Sequence, residues 1–325
     1  MTSLIEQAAK RLEQLRRAGA TLPAGAEPGE RLPGGGQVAA PAREPAPAAL
    51  ADAEPAAQSR RVELDLASLA AQGLLVPHSP RTLLADQFRV VKRPLIRNAI
   101  GKGTTRLAHG NLIMITSALA GEGKSFTAVN LALSIANELD HTVMLVDADV
   151  ARPSVMRMLG LAEANGRVEA PGLLDVLEGH VEMASALLKT NVDKLTLLPS
   201  GTPHERATEM LASDAMSRLL DEMARRYPDR IIIFDSPPLL QTTEARALAT
   251  HMGQVVVVVR AEHTAQAAVA DALGTIEACP VRLMLLNRAP VAAHAAYGYG
   301  YGYGYGYGYS AATAVDAAAT PATAG

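Results

Sequence analysis

Apolar residues in this chain fall into short unbroken runs separated by stretches with helical spacing. Leu112 to Thr116, Val143 to Val146, Leu195 to Leu198, Ile231 to Phe234, Val255 to Val259 and Leu283 to Leu286 are such runs. An apolar run without alternation suits a strand covered on both faces. The segments between them repeat apolar residues at three- and four-residue intervals, as helices do. The alternation predicts an α/β fold: a mostly parallel, doubly wound sheet with helices on both faces and ligands at the C-terminal strand ends. Members of these runs, such as Met144 and Met284, are expected in the core.

The flanks read differently. Residues 1–17 place Leu4, Ile5, Ala8, Leu12 and Leu15 on one face of an amphipathic helix. Residues 18–60 shift to Ala, Pro, Gly and Glu with almost no large apolar side chain, the composition of a disordered linker. The folded domain is expected over 61–290. Within it, Asp65 is placed to cap a short helix that Gly73 ends, and Ser79 and Pro80 open a second helix that Pro94 should end or kink. Arg89, Lys92, Arg93, Arg97, Lys102 and Arg106 follow without an intervening acid. They read either as a solvated face or as a cationic surface for an acidic or phosphate-bearing partner.

Between the first run and the longest helical pattern lies ITSALAGEGKSFTAVNLALSIA, Ile115 to Ala136. Strand, glycine-rich turn and helix in that order make a phosphate-binding loop. Glycines let backbone N–H groups turn around an anion, and the new helix points its positive end at the same spot. Ala120, Gly121, Glu122, Gly123, Lys124, Ser125 and Phe126 are the expected nucleotide-binding positions, with Lys124 as the ammonium on the outer phosphates and Ser125 as a Mg²⁺ ligand. Ala118 stands where the first glycine of GxxxxGK[ST] usually stands.

Two further strand ends carry carboxylates. VMLVDADVARP puts Asp147 at the end of its strand with Asp149 just beyond, and IIIFDSPP does the same with Asp235. After a phosphate loop, Asp235 fits the second acidic element of nucleotide hydrolases and transferases, where a carboxylate holds Mg²⁺ directly or through water; a lone Asp after a strand also serves as a turn former or helix cap. Asn287, at the end of the last run, reads either as a contact to the adenine edge or as a simple turn residue.

Composition narrows the partners. A net charge of −3 argues against a general nucleic-acid binder. Cys279 is the only cysteine, so no intrachain disulfide forms and a reducing compartment is favoured. No apolar run of about 18 residues and no signal-peptide pattern occurs, so a cytoplasmic chain is expected, reaching the inner membrane peripherally through a partner. Residues 291–325 read as a flexible tail in which Tyr297, Tyr299, Tyr301, Tyr303, Tyr305, Tyr307 and Tyr309 alternate with glycine; Tyr227 is the only other tyrosine. Aromatic content so placed cannot serve the core. It is either a set of phosphoacceptors or an adhesive low-complexity segment.

GEGKS, DADVARP and FDSPP in that order resemble the bacterial tyrosine kinases of capsule and exopolysaccharide loci, over about residues 60–309. The N-terminal SLIEQAAKRLEQLRRAGA, FRVVKRPLIRNA and the tyrosine-rich end are similar to the freestanding autokinases associated with exosortase loci. The resemblance implies ATP and Mg²⁺ as cofactors and Lys124, Asp147, Asp149 and Asp235 as catalytic residues, with Ser125, Asp149 and Asp235 at the metal and Asp147 orienting or deprotonating the acceptor, and transfer to tail tyrosines between subunits. It also implies a homo-oligomer with Asp86, Arg89 and Lys92 at the spacing of the family's ExxRxxR subunit contact, a transmembrane chain-length or activator protein, a phosphotyrosine phosphatase, and control of polymer export. Partitioning ATPases of related architecture carry a lysine five places before the loop lysine; that position here is Leu119. A nucleotide-switched ATPase and a non-catalytic export adaptor are the competing readings.

Overall fold

The computed structural model describes residues 59–290 apart from 79, 102–106, 163–167 and 169. All of these lie in the compact unit Glu54–Gly325. The expected helix over 1–17, the linker up to residue 58 and the tail 291–325 lie outside the described residues.

Six runs become the strands β2 (Leu112–Ser117), β3 (Thr142–Asp147), β5 (Leu195–Leu198), β6 (Arg230–Asp235), β7 (Gln254–Arg260) and β8 (Val281–Asn287). Two-residue strands β1 (Arg60–Arg61) and β4 (Leu188–Lys189) complete one sheet in the order β1-β4-β5-β3-β6-β2-β7-β8. Every neighbouring pair is parallel except β4 with β5. The α/β class with a mostly parallel sheet is therefore what the alternation of runs predicted. Arg60, assigned to the linker on composition, instead pairs with Leu188 at the sheet edge.

Side chains alternate between two cores. Ile113, Ile115, Val143, Leu145, Ile231 and Ile233 face one side; Leu112, Met114, Met144, Val146, Ile232 and Phe234 face the other. On the first side lie α1 (Leu66–Ala71), α2 (Leu83–Ile100), α3 (Lys124–Ala136) and the short α4 (Val155–Met158). The second side is covered by α5 (Leu173–Leu177), α6 (Met183–Ala186), α7 (Ala207–Leu211), α8 (Asp214–Arg226), α9 (Glu244–Ala249) and α10 (Gln266–Gly274). Helix α3 is buried from Thr127 to Ala136, between the sheet and α2. Its small and branched residues allow that close approach, and the helix carries the phosphate loop at its N-terminus.

Capping follows the sequence at α1, where the Asp65 side chain accepts from Ser68 N at 3.0 Å and Gly73 turns the chain at φ +80°. Helix α2 starts later than expected, capped by Thr82, whose Oγ1 accepts from Ala85 N. It also runs through Pro94 to Ile100. The proline removes the N–H that would bond the carbonyl of Val90, and Val90 is exposed, so water can serve that carbonyl instead.

The expectation for the last run needs correction. Met284 and Leu286 are 64% and 61% exposed, and burial alternates along β8. The strand is at the sheet's edge, and α10 packs its buried Ala272 into the core with β7 residues such as Val257, leaving one face of β8 uncovered. An unbroken apolar run is therefore not sufficient evidence of two covered faces. Met284→Lys should change stability by less than about 1 kcal/mol, whereas Val257→Lys should cost at least about 3 kcal/mol by burying an unpaired charge; urea unfolding of the two variants measures the difference.

Candidate active site

The C-terminal ends of β2, β3 and β6 converge on one group of charges. Lys124, the first residue of α3, places Nζ 2.6 Å from Asp149 Oδ2, 3.7 Å from Asp235 Oδ1 and 3.3 Å from Ser125 Oγ. Asp147 and Asp235 are fully buried and paired in register at the ends of β3 and β6. The structure therefore brings the expected lysine, serine and three carboxylates together.

The loop geometry requires its glycines. Gly121 and Gly123 have φ +82° and +97°, and a Cβ on Gly123 would lie 2.2 Å from Asn287 Nδ2. Ala118 has no such need, because its φ is not positive and it is buried beside the turn that follows β6. Alanine is thus compatible with the position where glycine was missing.

Glu122 and Asn287 have structural duties the sequence did not reveal. The Glu122 carboxylate is 1% exposed. One oxygen accepts from Leu119 N at 2.7 Å across the loop; the other accepts from Thr264 Oγ1 and from Arg260 N. Asn287 Nδ2 donates to the Glu122 carbonyl at 2.8 Å, and its Oδ1 accepts from Arg288 N. The phosphate loop is thereby fastened to the segment after β7 and to the end of β8. Ala120 and Gly121 lie at its exposed rim, and Phe126 packs against the core.

Ser154 was missed altogether. Its Oγ is 2.8 Å from Ser125 Oγ, while its N–H and that of Val155 donate to Asp147 Oδ2 at 3.1 and 3.0 Å. Nothing in its local sequence marks it, because the contact depends on how the β3–α4 turn folds back on α3. Of the expected subunit-contact residues, Asp86 pairs with Arg89 on α2, but Lys92 is buried. Its Nζ donates to Ser134 O and pairs with Glu138, so its charge holds α2 to the end of α3 and is withdrawn from the expected cationic surface.

Burial and mutual repulsion shape the titration of the cluster. Burial, with added repulsion from Asp235, pushes the Asp147 carboxyl up to about 8. Burial pushes Asp235 up to about 6 against the pull of Lys124. Burial opposes the charge on Lys124, but Asp235 and then Asp149 outweigh it and raise its pKa. Asp147 Oδ1 and both Asp235 oxygens are buried without a hydrogen bond. Three carboxylates against one ammonium, with acceptor oxygens to spare, suit a divalent cation. Among the described residues no three His, Cys, Asp or Glu side chains form a metal cage. Mg²⁺ commonly takes one or two carboxylates and completes its octahedron with water and phosphate, so it does not require such a cage.

Fold and site define a P-loop nucleotide-binding protein whose loop lysine meets acidic strand ends. The AAA domain family description matches residues 110–285. Tyrosine-protein kinase YwqD of Bacillus subtilis is 30% identical over 221 residues, covering 67% of this chain and 87% of that protein. Tyrosine-protein kinase wzc of Salmonella typhi is 29% identical over 47% of this chain, but the match spans only 20% of that longer protein. The crystal structure of the chimerical protein CapA2B2 superposes with a TM-score of 0.55 at 26% identity, covering 73% of this chain and 95% of that one. The chain belongs to the bacterial tyrosine-protein kinase family of AAA domains, and its enzyme class is that of a protein-tyrosine kinase.

Two outcomes are expected. A carboxyl raised from 3.8 to about 8 holds its proton in the folded state while the unfolded chain has lost it, so its contribution to stability falls as pH rises between those values. The ligand-free protein should melt at a lower temperature at about pH 8 than at about pH 6, and Asp147→Asn should flatten that slope in calorimetry. Glu122→Ala leaves Leu119 N–H and Thr264 without their acceptor, and should weaken nucleotide binding about tenfold by titration calorimetry with little change in circular dichroism.

Proposed function

We propose that the chain is a tyrosine autokinase that transfers the γ-phosphoryl group of ATP to tyrosines of the 297–309 segment, mainly between copies of itself. The observation that carries this reading is the single ammonium of Lys124, held 2.6 Å from Asp149 and 3.7 Å from Asp235 at the mouth of a glycine-turned loop. In the reaction, the phenol oxygen bonds to the γ-phosphorus as the bond to the β–γ bridging oxygen breaks, and ADP leaves with that electron pair. Lys124 neutralises charge developing on the bridge. Asp147 Oδ2 is pinned by two N–H donors, leaving Oδ1 to orient the phenol by a hydrogen bond and to take its proton when a bound cation holds the carboxyl in its charged form. A loose transition state demands little early proton removal, so orientation matters more than basicity. Ser125, Asp149 and Asp235 would hold Mg²⁺, whose chemistry is neutralisation of phosphate charge.

The tail composition supports the choice of acceptor: seven of the chain's eight tyrosines alternate with glycine there. We further propose that the chain acts on exopolysaccharide polymerisation or export, with a transmembrane partner as activator and a phosphatase that resets the tail. No described helix is long and apolar enough to cross a membrane. The ATPase-switch reading has less support. At the position of the partitioning ATPases' lysine, Leu119 offers its N–H to Glu122 and no cation.

Intact-mass spectrometry after incubation with Mg-ATP tests the reading. A ladder of phosphate additions is expected, falling at least about 100-fold in Lys124→Met and vanishing in a chain truncated after His294. Undiminished additions in Lys124→Met, or additions retained by the truncated chain, would sink it. Hydrolysis of ATP with no phosphotyrosine, even with the activator present, would favour the switch.

A further inference from the structure

Three hydroxyls at the C-terminal end of the sheet are committed to the backbone. Thr116 Oγ1 donates to Pro237 O at 2.7 Å, Ser117 Oγ to Leu119 O at 2.6 Å and Ser236 Oγ to Ile115 O at 3.0 Å. Ser154 differs. Its hydroxyl donates to another hydroxyl, Ser125 Oγ, at 2.8 Å, the one such pair among the described residues. Resting on the autokinase reading with Ser125 at the cation, we propose that Ser154 is a positioning residue for Mg²⁺: it sets the Ser125 side chain in the orientation the ion needs.

The hydroxyl has given up its local work. Ser154 stands at the N-cap of α4, where a serine side chain usually accepts from an amide two or three residues on, and here it makes no such bond. Asp147 takes that part. Its Oδ2 accepts from Ser154 N at 3.1 Å and from Val155 N at 3.0 Å, so a carboxylate from β3 serves the start of the helix. The serine hydroxyl is left to reach a residue 29 positions earlier in the chain.

Its mounting is firm. Met158 N donates to Ser154 O at 3.0 Å, and the side chains of Val155 and Met156 lie in the core cluster that also holds Ala128, Val129 and Ala132 of α3. The ring of Pro153 fixes the backbone just before it. With a single carbon–carbon rotor between backbone and oxygen, the hydroxyl goes where the backbone carries it. Holding it there therefore costs little entropy.

Hydrogen-bond counting at Ser125 shows what this contact adds. Serine has three staggered rotamers, and a hydroxyl offers one donor and two acceptor sites. Lys124 Nζ also donates to Ser125 Oγ, at 3.3 Å, but its shorter bond is to Asp149 at 2.6 Å. In the reaction Lys124 serves the phosphates, so Ser154 remains as the holder. Its donation occupies one lone pair of Ser125 Oγ and leaves the other for the cation. A partner that orients a metal ligand in this way commonly contributes about tenfold or more to metal affinity.

Ser154 also joins the two halves of the site. Its N–H binds Asp147 and its Oγ binds Ser125, so one residue sets the spacing between the metal ligand and the acceptor-side carboxylate. The two links separate cleanly, because alanine removes the hydroxyl and keeps the N–H.

Titration calorimetry of the full chain with the non-hydrolysable nucleotide AMP-PNP, in EDTA and in saturating Mg²⁺, tests the role. Ser154→Ala should weaken the Kd in Mg²⁺ about tenfold while the Kd in EDTA stays within about twofold. Ser154→Thr, which restores a hydroxyl, should stay within about twofold of the unsubstituted protein in both conditions. In a Ser125→Ala background, Ser154→Ala should bring no further loss, because its effect passes through Ser125. An unchanged Kd in Mg²⁺, equal weakening in both conditions, or an undiminished loss in the Ser125→Ala background would overturn the proposal. So would a threonine variant that behaves as the alanine variant does. None of these measurements requires phosphotransfer. Absence of phosphotyrosine in the unsubstituted protein counts against the autokinase reading alone, and the Mg²⁺-dependent difference still decides the role of Ser154.

Discussion

One ammonium among three buried carboxylates is the constraint on which this site depends. Bringing such charges out of water costs several kcal/mol per ion, and Lys124 can offset only part of the repulsion between Asp147, Asp149 and Asp235. The protein relieves the remainder in two ways. Backbone N–H donors from Ser154 and Val155 fix one Asp147 oxygen, and burial shifts Asp147 and Asp235 toward their protonated forms. What is left, buried acceptor oxygens without hydrogen bonds, is what a divalent cation and its phosphate ligand would satisfy. The ligand-free molecule therefore carries local instability at the place where binding can relieve it.

The sheet makes this concentration of charge feasible. Parallel strands present all their C-terminal ends on one edge, so β2, β3 and β6, adjacent in the order of the sheet, deliver a loop and two acidic ends to one point. The apolar interiors of the same strands supply the packing that holds those ends in place. Helix α3 links the two roles, burying most of its length while its first residue supplies the cation. Lys92 belongs to this support: its ammonium fastens α2 to the C-terminal end of α3, so the helix is held at one end by a cation and presents another at the other.

The same order orients the site. Fastenings from Glu122 to Thr264, and from Asn287 to the loop carbonyl, lie on the β7–β8 side. A proline-lined cleft lies on the β3–β5 side.

Much was legible from local pattern. The unbroken runs marked the six long strands, GEGKS marked the loop, and aspartates after two runs marked the carboxylates, because strand burial, glycine geometry and strand-end placement are each written in consecutive residues. Other features depended on distant segments. The exposure of Met284 follows from strand order, which no single run encodes. Lys92 looked like one of a row of surface cations because its partners lie more than forty residues away. Glu122 stood among the expected nucleotide-binding positions and Asn287 read either as an adenine contact or as a turn residue, but that their side chains tie the loop to Thr264 and to the end of β8 was not visible in the sequence; Ser154 carried no mark at all. Composition and spacing thus settled which groups were available and on which elements they stood. Which of those groups meet, and which are already satisfied by one another, was settled by packing, because hydrogen bonds and charge pairs form between neighbours in space.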